Sequence, residues 1–303
     1  QIVSVTEQNN NKIDFENNDL IEILQPFLEK ARQRRKLMCA KYENVIDTMF
    51  ENLQNLKYEK IFKFDQSKHQ LRESFCQSLF DNSDFKLEQL HDVTNKDSGQ
   101  KKKRPEKFEL LSPFLIDEKR NCFQAVFDQF VLETILPDSY DACKEDVFYY
   151  QAFPCIRVVR PTEFSIGIHA DVNYGFNPCN VNYYVPLTEL YDSNSLHVET
   201  EIGKEDFKSL KNSYGEIYRF HGAMCLHFTT ENKTDQTRIS LDFRVVPGSC
   251  FLPKDHANEI ISDHYSEKKG YYVRAERSLD GCWKRCEDLP VPDVRNGFPF
   301  TKK

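Results

Sequence analysis

The chain has 303 residues, of which 39% are hydrophobic and 13% aromatic, and its net charge at pH 7 is −7. This composition is typical of a soluble globular protein with a sizeable core. The negative charge argues against binding to nucleic acid or to an anionic membrane, and no run of ~18 apolar residues predicts a transmembrane helix.

The cysteines and the N-terminus bear on where the protein acts. The ten cysteines are spread along the chain without a C-x-x-C pair, which favours a reduced compartment over a disulfide scaffold. The polar N-terminus lacks the apolar centre of a signal peptide. We therefore expect a cytoplasmic protein, although a chain that starts at Gln1 leaves a cleaved targeting segment open.

Residues 1–91 are predicted to form a helical N-terminal region, because apolar residues recur at a helical spacing. This region either mediates a homodimer or closes over the active site. Residues 92–107 are polar and rich in cations, and they predict a flexible loop. The stripe of the first helix contains Leu20, Ile23, Leu24, Phe27, Leu28 and Ala31.

From about residue 146 the hydrophobic period changes to two. A helix that Pro137 ends precedes eight short runs rich in β-branched and aromatic residues, such as VFYYQAFP, VNYYVPL and TRISLDFRVVP. Such runs predict a β-sandwich, jelly roll or barrel. We expect residues 108–253 to form this core with its supporting helix, and residues 254–303 to form a C-terminal extension packed on it.

The stretch SIGIHADVNYG at 165–175 places His169 and Asp171 two residues apart after a strand-like run. With 8 His and 48 Asp and Glu in the chain, such a pair also arises by chance. A second one, His197-Val198-Glu199, does occur. The first pair therefore needs support from other parts of the chain.

That support comes from His227, Arg238 and Ser240. If residues 223–229 and 237–245 pair as a hairpin, His227 and Arg238 oppose each other across the ladder and point to the same face. Ser240 joins them because strand side chains alternate between faces. We therefore predict that the three side chains cluster inside a β-structure.

The residue types fit one chemistry. Two imidazoles and one carboxylate form the facial triad that binds non-haem Fe(II) and leaves three coordination positions open. A 2-oxo acid can take two of these positions and O₂ the third. Arg238 is suited to the distal carboxylate of such an acid because a guanidinium binds carboxylates through two parallel hydrogen bonds, and the hydroxyl of Ser240 can donate another.

On these residues the sequence resembles the Fe(II)/2-oxoglutarate-dependent oxygenases. Their H-x-D…H…R-x-S pattern is matched by His169-Ala170-Asp171, His227 and Arg238-Ile239-Ser240. The wider run from about 145 to 247 is similar to the phytanoyl-CoA-hydroxylase-like and streptomycin-biosynthesis-type branches. Gly215-Glu216 departs mildly from the Gly-Asp that is usual in the first branch.

The resemblance implies an α+β fold with a double-stranded β-helix (jelly-roll) core flanked by helices. It implies that His169, Asp171 and His227 bind iron, with Fe(II), 2-oxoglutarate and O₂ as reactants and ascorbate as a supporting reductant. The expected reaction is hydroxylation, desaturation or oxidative cyclisation of a small molecule, with release of succinate and CO₂. An amino-acid-like or other anionic metabolite of specialised metabolism is the expected substrate.

Other polar residues are candidates for the walls of the pocket. Asn182 and Tyr184 share one face of a strand and are expected to contact 2-oxoglutarate. Asn173 and Tyr174, directly after the His-x-Asp motif, are expected at the rim of the substrate site.

Arg157 and Arg160 lie three apart on a regular strand, so one of them points inward, where it suits an anionic substrate. An ion pair, for example with Glu163, is an equally good prediction for either arginine. Arg244 lies on the Arg238 face, where we expect a structural salt bridge.

Two functions from other classes stay open. A cupin-like jelly-roll metalloenzyme of another reaction class would not need Arg238. An inactive jelly-roll binding module would not need the complete set of four residues.

Overall fold

The computed structural model describes residues 19–93, 110–251 and 271–286. In these ranges the chain combines helices with two antiparallel β-sheets, which is the α+β class expected from the sequence. None of the described helices is both long enough and apolar enough to cross a membrane.

The helices precede most of the strands, as predicted. A π-helical turn, Val131–Ile135, joins the helices Asp117–Phe130 and Leu136–Cys143 into one helical path, so the expectation that Pro137 ends the helix is wrong. Pro137 is tolerated because it lies in the first turn of the next helix, where its missing N–H needs no partner. The helices are α1 Asp19–Cys39, α2 Ile46–Leu53, α3 Leu71–Phe80, α4 Leu90–Val93, α5 Asp117–Phe130 and α6 Leu136–Cys143.

The described strands form a large sheet and a small one. They are β1 Lys60–Lys63, β2 Val147–Gln151, β3 Cys155–Val159, β4 Val181–Pro186, β5 Leu196–Val198, β6 Lys208–Ser209, β7 Glu216–Phe220, β8 His227–Thr229, β9 Arg238–Pro247, β10 Tyr272–Arg277 and β11 Trp283–Arg285. The large sheet has the order β1-β7-β4-β9-β2-β10-β11, with β3 also paired to β9, and the small sheet has the order β6-β5-β8.

The large sheet receives strands from both segments that we expected outside the core. Strand β1, from the helical N-terminal region, pairs with β7, and β10, from the C-terminal extension, pairs with β2. The domain boundaries at 91, 107 and 253 stay predictions. The large sheet combines strands from the predicted N-terminal region, core and C-terminal extension.

Strand β9 shows how the sequence separates core from site. Its odd-numbered residues Ile239, Leu241, Phe243 and Val245 belong to the main hydrophobic core, which also contains α5. Its even-numbered residues up to 244 are polar and buried, namely Arg238, Ser240, Asp242 and Arg244. Because strand side chains alternate, one face of the large sheet is apolar and the other carries polar groups.

The two sheets share an interior. Tyr184 of β4 and Tyr218 of β7 pack in one apolar cluster with Leu196 and Val198 of β5. The polar face of β9 is thus enclosed between the sheets, where water is largely excluded.

The predicted hairpin of residues 223–229 with 237–245 is wrong. Strand β8 pairs with β5 in the small sheet, whereas β9 pairs with β3, β4 and β2 in the large one. The loop between them crosses from sheet to sheet. It is anchored by Asn232, whose Nδ2 donates to the carbonyls of Val159 and Gln236.

Helix α1 covers the small sheet. Leu24, Leu28 and Ala31 pack in a separate small core with residues such as Ala170 and Val172, which flank Asp171. The helix therefore lies directly beside the His-x-Asp segment.

Candidate metal centre

His169, Asp171 and His227 are brought together by backbone pairing. His169 and His227 form an isolated antiparallel bridge, with N···O distances of 3.1 and 2.8 Å. Asp171 begins a 3₁₀ turn that ends at Tyr174. One ligand atom from each of the three residues lies within 4.8 Å of the others, and all three residues are buried.

The imidazoles are oriented for metal binding. The Nδ1 of His169 lies 2.8 Å from the carbonyl of Gly167, and the Nδ1 of His227 lies 3.0 Å from the carbonyl of Cys225. Because a carbonyl only accepts, each Nδ1 carries the proton and each Nε2 presents a lone pair. Burial, with the neighbouring His169, lowers the pKa of His227 to about 4, so this ring is neutral at pH 7.

Asp171 is held by a second set of side chains. Its Oδ2 accepts hydrogen bonds from Nε of Arg244 at 2.7 Å and from Nδ2 of Asn182 at 2.9 Å. Its Oδ1 lies 3.3 Å from Nε2 of His169 and 3.6 Å from Nε2 of His227. Burial alone raises the pKa of Asp171, but the charge of Arg244 outweighs it and holds that pKa well below its usual range.

Two imidazole nitrogens and one carboxylate oxygen thus converge on one point. This arrangement defines a candidate mononuclear metal centre of the facial-triad type, whose donor set suits Fe(II).

Asp242 links the metal centre to a further arginine. Its carboxylate accepts hydrogen bonds from Nη2 of Arg157 at 3.1 Å and from Nδ2 of Asn182 at 3.3 Å. Nη2 of Arg244 lies 3.6 Å from Oδ2 of the same carboxylate. The charges of two buried arginines are therefore balanced by two buried aspartates.

An enclosed cavity of about 20 Å³ lies between the sheets beside His169 and His227. Arg238, Tyr184 and Arg157 are in its wall, with Phe220 and Leu196 among the apolar residues. Burial lowers the pKa of the Arg238 guanidinium, which donates to the carbonyl of Asn194 at 3.1 Å.

Nε of Arg238 and Oη of Tyr184, both in the cavity wall, lack a hydrogen-bonding partner among the described residues. So does Oγ of Ser240, two residues after Arg238 on the same face of β9. Unsatisfied buried donors are costly, and a carboxylate would satisfy them together. They therefore fit the distal carboxylate of 2-oxoglutarate. Since the cavity has room for about one water, binding of that five-carbon diacid requires its walls to move.

A second cavity, of about 180 Å³, opens on the other side of His169. It lies between α1 and the Asp171–Tyr174 turn, and Asn173 and Tyr174 are in its wall. The Tyr174 ring packs edge-on against His169 at 5.1 Å between ring centroids. His169 is thus in the wall of both cavities, which differ in volume.

The structure brings most of the predicted residues to these two cavities. Asp171, Asn182 and Ser240 lie behind the cavity walls, next to residues that line them. Arg160 differs, because it forms a 2.7 Å ion pair with Glu163 and does not line either cavity. Arg157, on β3, points inward, whereas Arg160 lies just after the end of that strand. Ser240 lies opposite Arg157 in the β3–β9 ladder, and Asn182 touches Asp171.

The second His-x-acid match has a structural role. Glu199 accepts hydrogen bonds from Arg35 and from the backbone N–H of Leu226, each at 2.7 Å. Among the described residues it belongs to no cluster that could hold a metal.

Sequence reasoning missed three contributions to the site. For Arg244 it predicted a salt bridge but not that the partner is Asp171. Asp242 was not singled out, although its period-two spacing from Arg238 and Ser240 is a usable signal. The α1 residues Lys30 and Arg34, which line the second cavity, give no local signal, because only the tertiary fold places them there.

No family model matches the chain. Its sequence is similar to the streptomycin biosynthesis protein StrG of Streptomyces griseus, with 36% identity over 111 residues. The match covers 36% of this chain and 52% of StrG, so the chain spans about half the length of that curated relative. This similarity confirms the resemblance to the streptomycin-biosynthesis-type branch.

Several solved structures are also similar over part of the chain. One is the nickel complex of ThoJ, a non-heme monooxygenase, with a TM-score of 0.33, 16% identity and coverage of 40% of this chain and 54% of ThoJ. A 2OG-Fe(II) oxygenase family oxidoreductase from Burkholderia pseudomallei has a TM-score of 0.33, 15% identity and coverage of 41% and 56%. The non-heme alpha ketoglutarate dependent epimerase SnoN from nogalamycin biosynthesis has a TM-score of 0.34, 10% identity and coverage of 59% and 70%. Because these scores are low, we base the function on the geometry of the site.

Proposed function

We propose that the protein is an Fe(II)- and 2-oxoglutarate-dependent oxygenase whose two sheets form a double-stranded β-helix. The observation that carries this proposal is the position of three polar atoms without a described partner beside a buried His-Asp-His triad. These atoms are Nε of Arg238, Oγ of Ser240 and Oη of Tyr184. A metal centre alone would not need a buried guanidinium without a carboxylate partner. The pair of features matches a metal-chelating 2-oxo acid with a distal carboxylate.

In this proposal each residue has a defined task. His169, Asp171 and His227 hold iron, while Arg244 and Asn182 keep Oδ2 of Asp171 occupied so that Oδ1 faces the metal. Arg238 and Ser240 bind the distal carboxylate of 2-oxoglutarate, and Tyr184 donates its hydroxyl. Bound iron and 2-oxoglutarate supply the oxidising chemistry with O₂, releasing succinate and CO₂. The apolar wall around Phe220 and Leu196 excludes water.

The substrate is proposed to be a small molecule of specialised metabolism that enters through the second cavity, with Asn173 and Tyr174 at its edge. The similarity to a protein of streptomycin biosynthesis supports a biosynthetic role. Hydroxylation, desaturation and oxidative cyclisation all begin with abstraction of a hydrogen from the substrate, so all three stay predictions. Ascorbate as a supporting reductant, a homodimer through the N-terminal helices and a cytoplasmic location stay predictions.

Anaerobic titration with Fe(II) and 2-oxoglutarate tests the proposal. We expect the weak visible metal-to-ligand charge-transfer band of a chelated 2-oxo acid in the wild type, and its loss in His227→Ala. Arg160→Gln is the matched control, because Arg160 lies outside both cavities. Metal binding without this band, and without succinate on exposure to O₂, would instead indicate a metalloenzyme of another class.

A further inference from the structure

The second cavity has a positive rim in a protein of net negative charge. Lys30 and Arg34, both exposed, lie one helical turn apart on α1 and line this cavity. Within the described part of the chain neither of them forms an ion pair. Their neighbours differ in this respect, because Arg32 pairs with Glu205 and Arg35 pairs with Glu199.

The arrangement leaves Lys30 and Arg34 as the uncompensated cations of this helix face. Arg34 also lies over the ring of Tyr174, with its guanidinium carbon 5.9 Å from the ring centroid. This contact places the guanidinium beside the cavity wall. The nearby carboxylate of Asp171 pairs with Arg244 and forms no ion pair with Lys30 or Arg34.

Asn173 provides a second, independent signal at the same cavity. Its side chain is 5% exposed, and its Oδ1 has no hydrogen-bonding partner among the described residues. Its Nδ2 donates to the carbonyl of Ala31 on α1 at 3.4 Å, and this bond sets the direction of the amide. A buried acceptor of this kind is satisfied by a donor on a ligand.

We propose that the second cavity binds a small substrate with two groups, an oxyanion that pairs with Arg34 and Lys30 and a hydroxyl or N–H that donates to Asn173. That this ligand is the oxidised substrate rests on the proposed function, because His169 is common to both cavities. The volume of about 180 Å³ is several times that of the first cavity and indicates a small metabolite. Carboxylate, sulfate and phosphate share the required chemistry.

Binding of 2-hydroxyethyl phosphate, which carries both groups, tests the site. Calorimetry is performed on the anaerobic protein with Fe(II) and 2-oxoglutarate, and again on the protein without them. We expect saturable binding that weakens by about tenfold or more in the double variant Lys30→Gln/Arg34→Gln. The matched control is Lys36→Gln/Lys41→Gln. It removes two exposed cations that follow Arg34 in the chain and do not line the cavity, so it should leave the affinity unchanged.

The Asn173 contact is tested with a pair of probes. Wild type should bind 2-hydroxyethyl phosphate several-fold more tightly than ethyl phosphate, and Asn173→Ala should remove this preference. Equal losses in the two double variants, or no saturable binding of phosphate, sulfate or 2-hydroxyethyl phosphate by wild type, would overturn the inference. Failure of the wild type to bind 2-oxoglutarate would overturn the proposed function alone, since the phosphate titration has its own readout.

Discussion

Two buried arginines on strand β9 behave in opposite ways. Arg244 is fully engaged, with hydrogen bonds to Asp171 at 2.7 Å and to Oε1 of Gln151 at 3.0 Å, and its guanidinium carbon lies 4.4 Å from the centroid of the Phe176 ring. Arg238 points from the same face of the strand, yet its Nε has no described partner. Their exposed fractions are 4% and 1%.

The difference separates a positioning residue from a ligand-binding one. A buried charge with complete partners stabilises a particular geometry, whereas a buried charge without them costs free energy until a ligand arrives. Arg244 therefore fixes Asp171 in the absence of any ligand, and Arg238 is suited to an anion from outside.

The largest expected effect is that of Arg244→Gln. It leaves the Asp171 carboxylate buried without its cation, so we expect the free energy of unfolding of the metal-free protein to fall by about 3–5 kcal/mol. Urea denaturation measures this change, and Fe(II) affinity should fall with it. The control Arg274→Gln breaks a partly exposed pair with Glu276 and should cost less than about 1 kcal/mol. Equal costs for the two variants would remove the distinction between Arg244 and an ordinary surface arginine.

Arg238→Gln should show the reverse pattern. We expect the affinity for 2-oxoglutarate to fall on the order of 100-fold, because a charge-assisted, two-point contact is lost. The free energy of unfolding should be unchanged within about 1 kcal/mol, or should rise, since an uncompensated buried charge is removed. Calorimetry and urea denaturation of the same samples give both values. A large loss of stability with unchanged 2-oxoglutarate binding contradicts the assignment.

Ser240→Ala tests whether a neutral hydroxyl at this site, like the charged Arg238, serves ligand binding rather than stability. Because Oγ of Ser240 has no described partner, the variant should keep its stability and lose about five- to tenfold in 2-oxoglutarate affinity. Ser139→Ala is the control, since Oγ of Ser139 bonds to the carbonyl of Ile135 and to Tyr183. That variant should unfold more easily and bind 2-oxoglutarate normally. Lower stability in both would indicate that Ser240 is structural.

The smallest expected effect concerns His197. Burial, and then the charge of Arg238, lower its pKa to about 4, below the ~6.5 of an unfolded chain. Its contribution to stability is therefore fully present above pH 6.5 and is lost as the pH falls toward 4. In Arg238→Gln the pKa of His197 should rise slightly and this loss should become shallower. NMR titration of the metal-free protein measures the pKa, and a value unchanged by the substitution would show that burial acts alone.

Sequence reasoning succeeded where the signal is local and periodic. The alternation in β9 separated Arg238 and Ser240 from the core residues, and the spacing of His169, Asp171 and His227 matched a known family pattern. It failed where sheet pairing decides, because β8 and β9 are adjacent in sequence yet lie in different sheets. It also could not foresee α1 at the second cavity, since Arg34 and Asn173 are far apart in the chain and only tertiary packing joins them.

The packing of α1 has a consequence for how molecules reach His169. Leu24, Leu28 and Ala31 belong to a small apolar cluster that is distinct from the main core beneath the large sheet. Local opening of such a unit costs less than global unfolding. Helix α1 is therefore expected to open locally while strand β9 and the main core stay folded. Faster amide exchange in α1 than in β9 would show this local opening and would support the prediction that the N-terminal region closes over the active site.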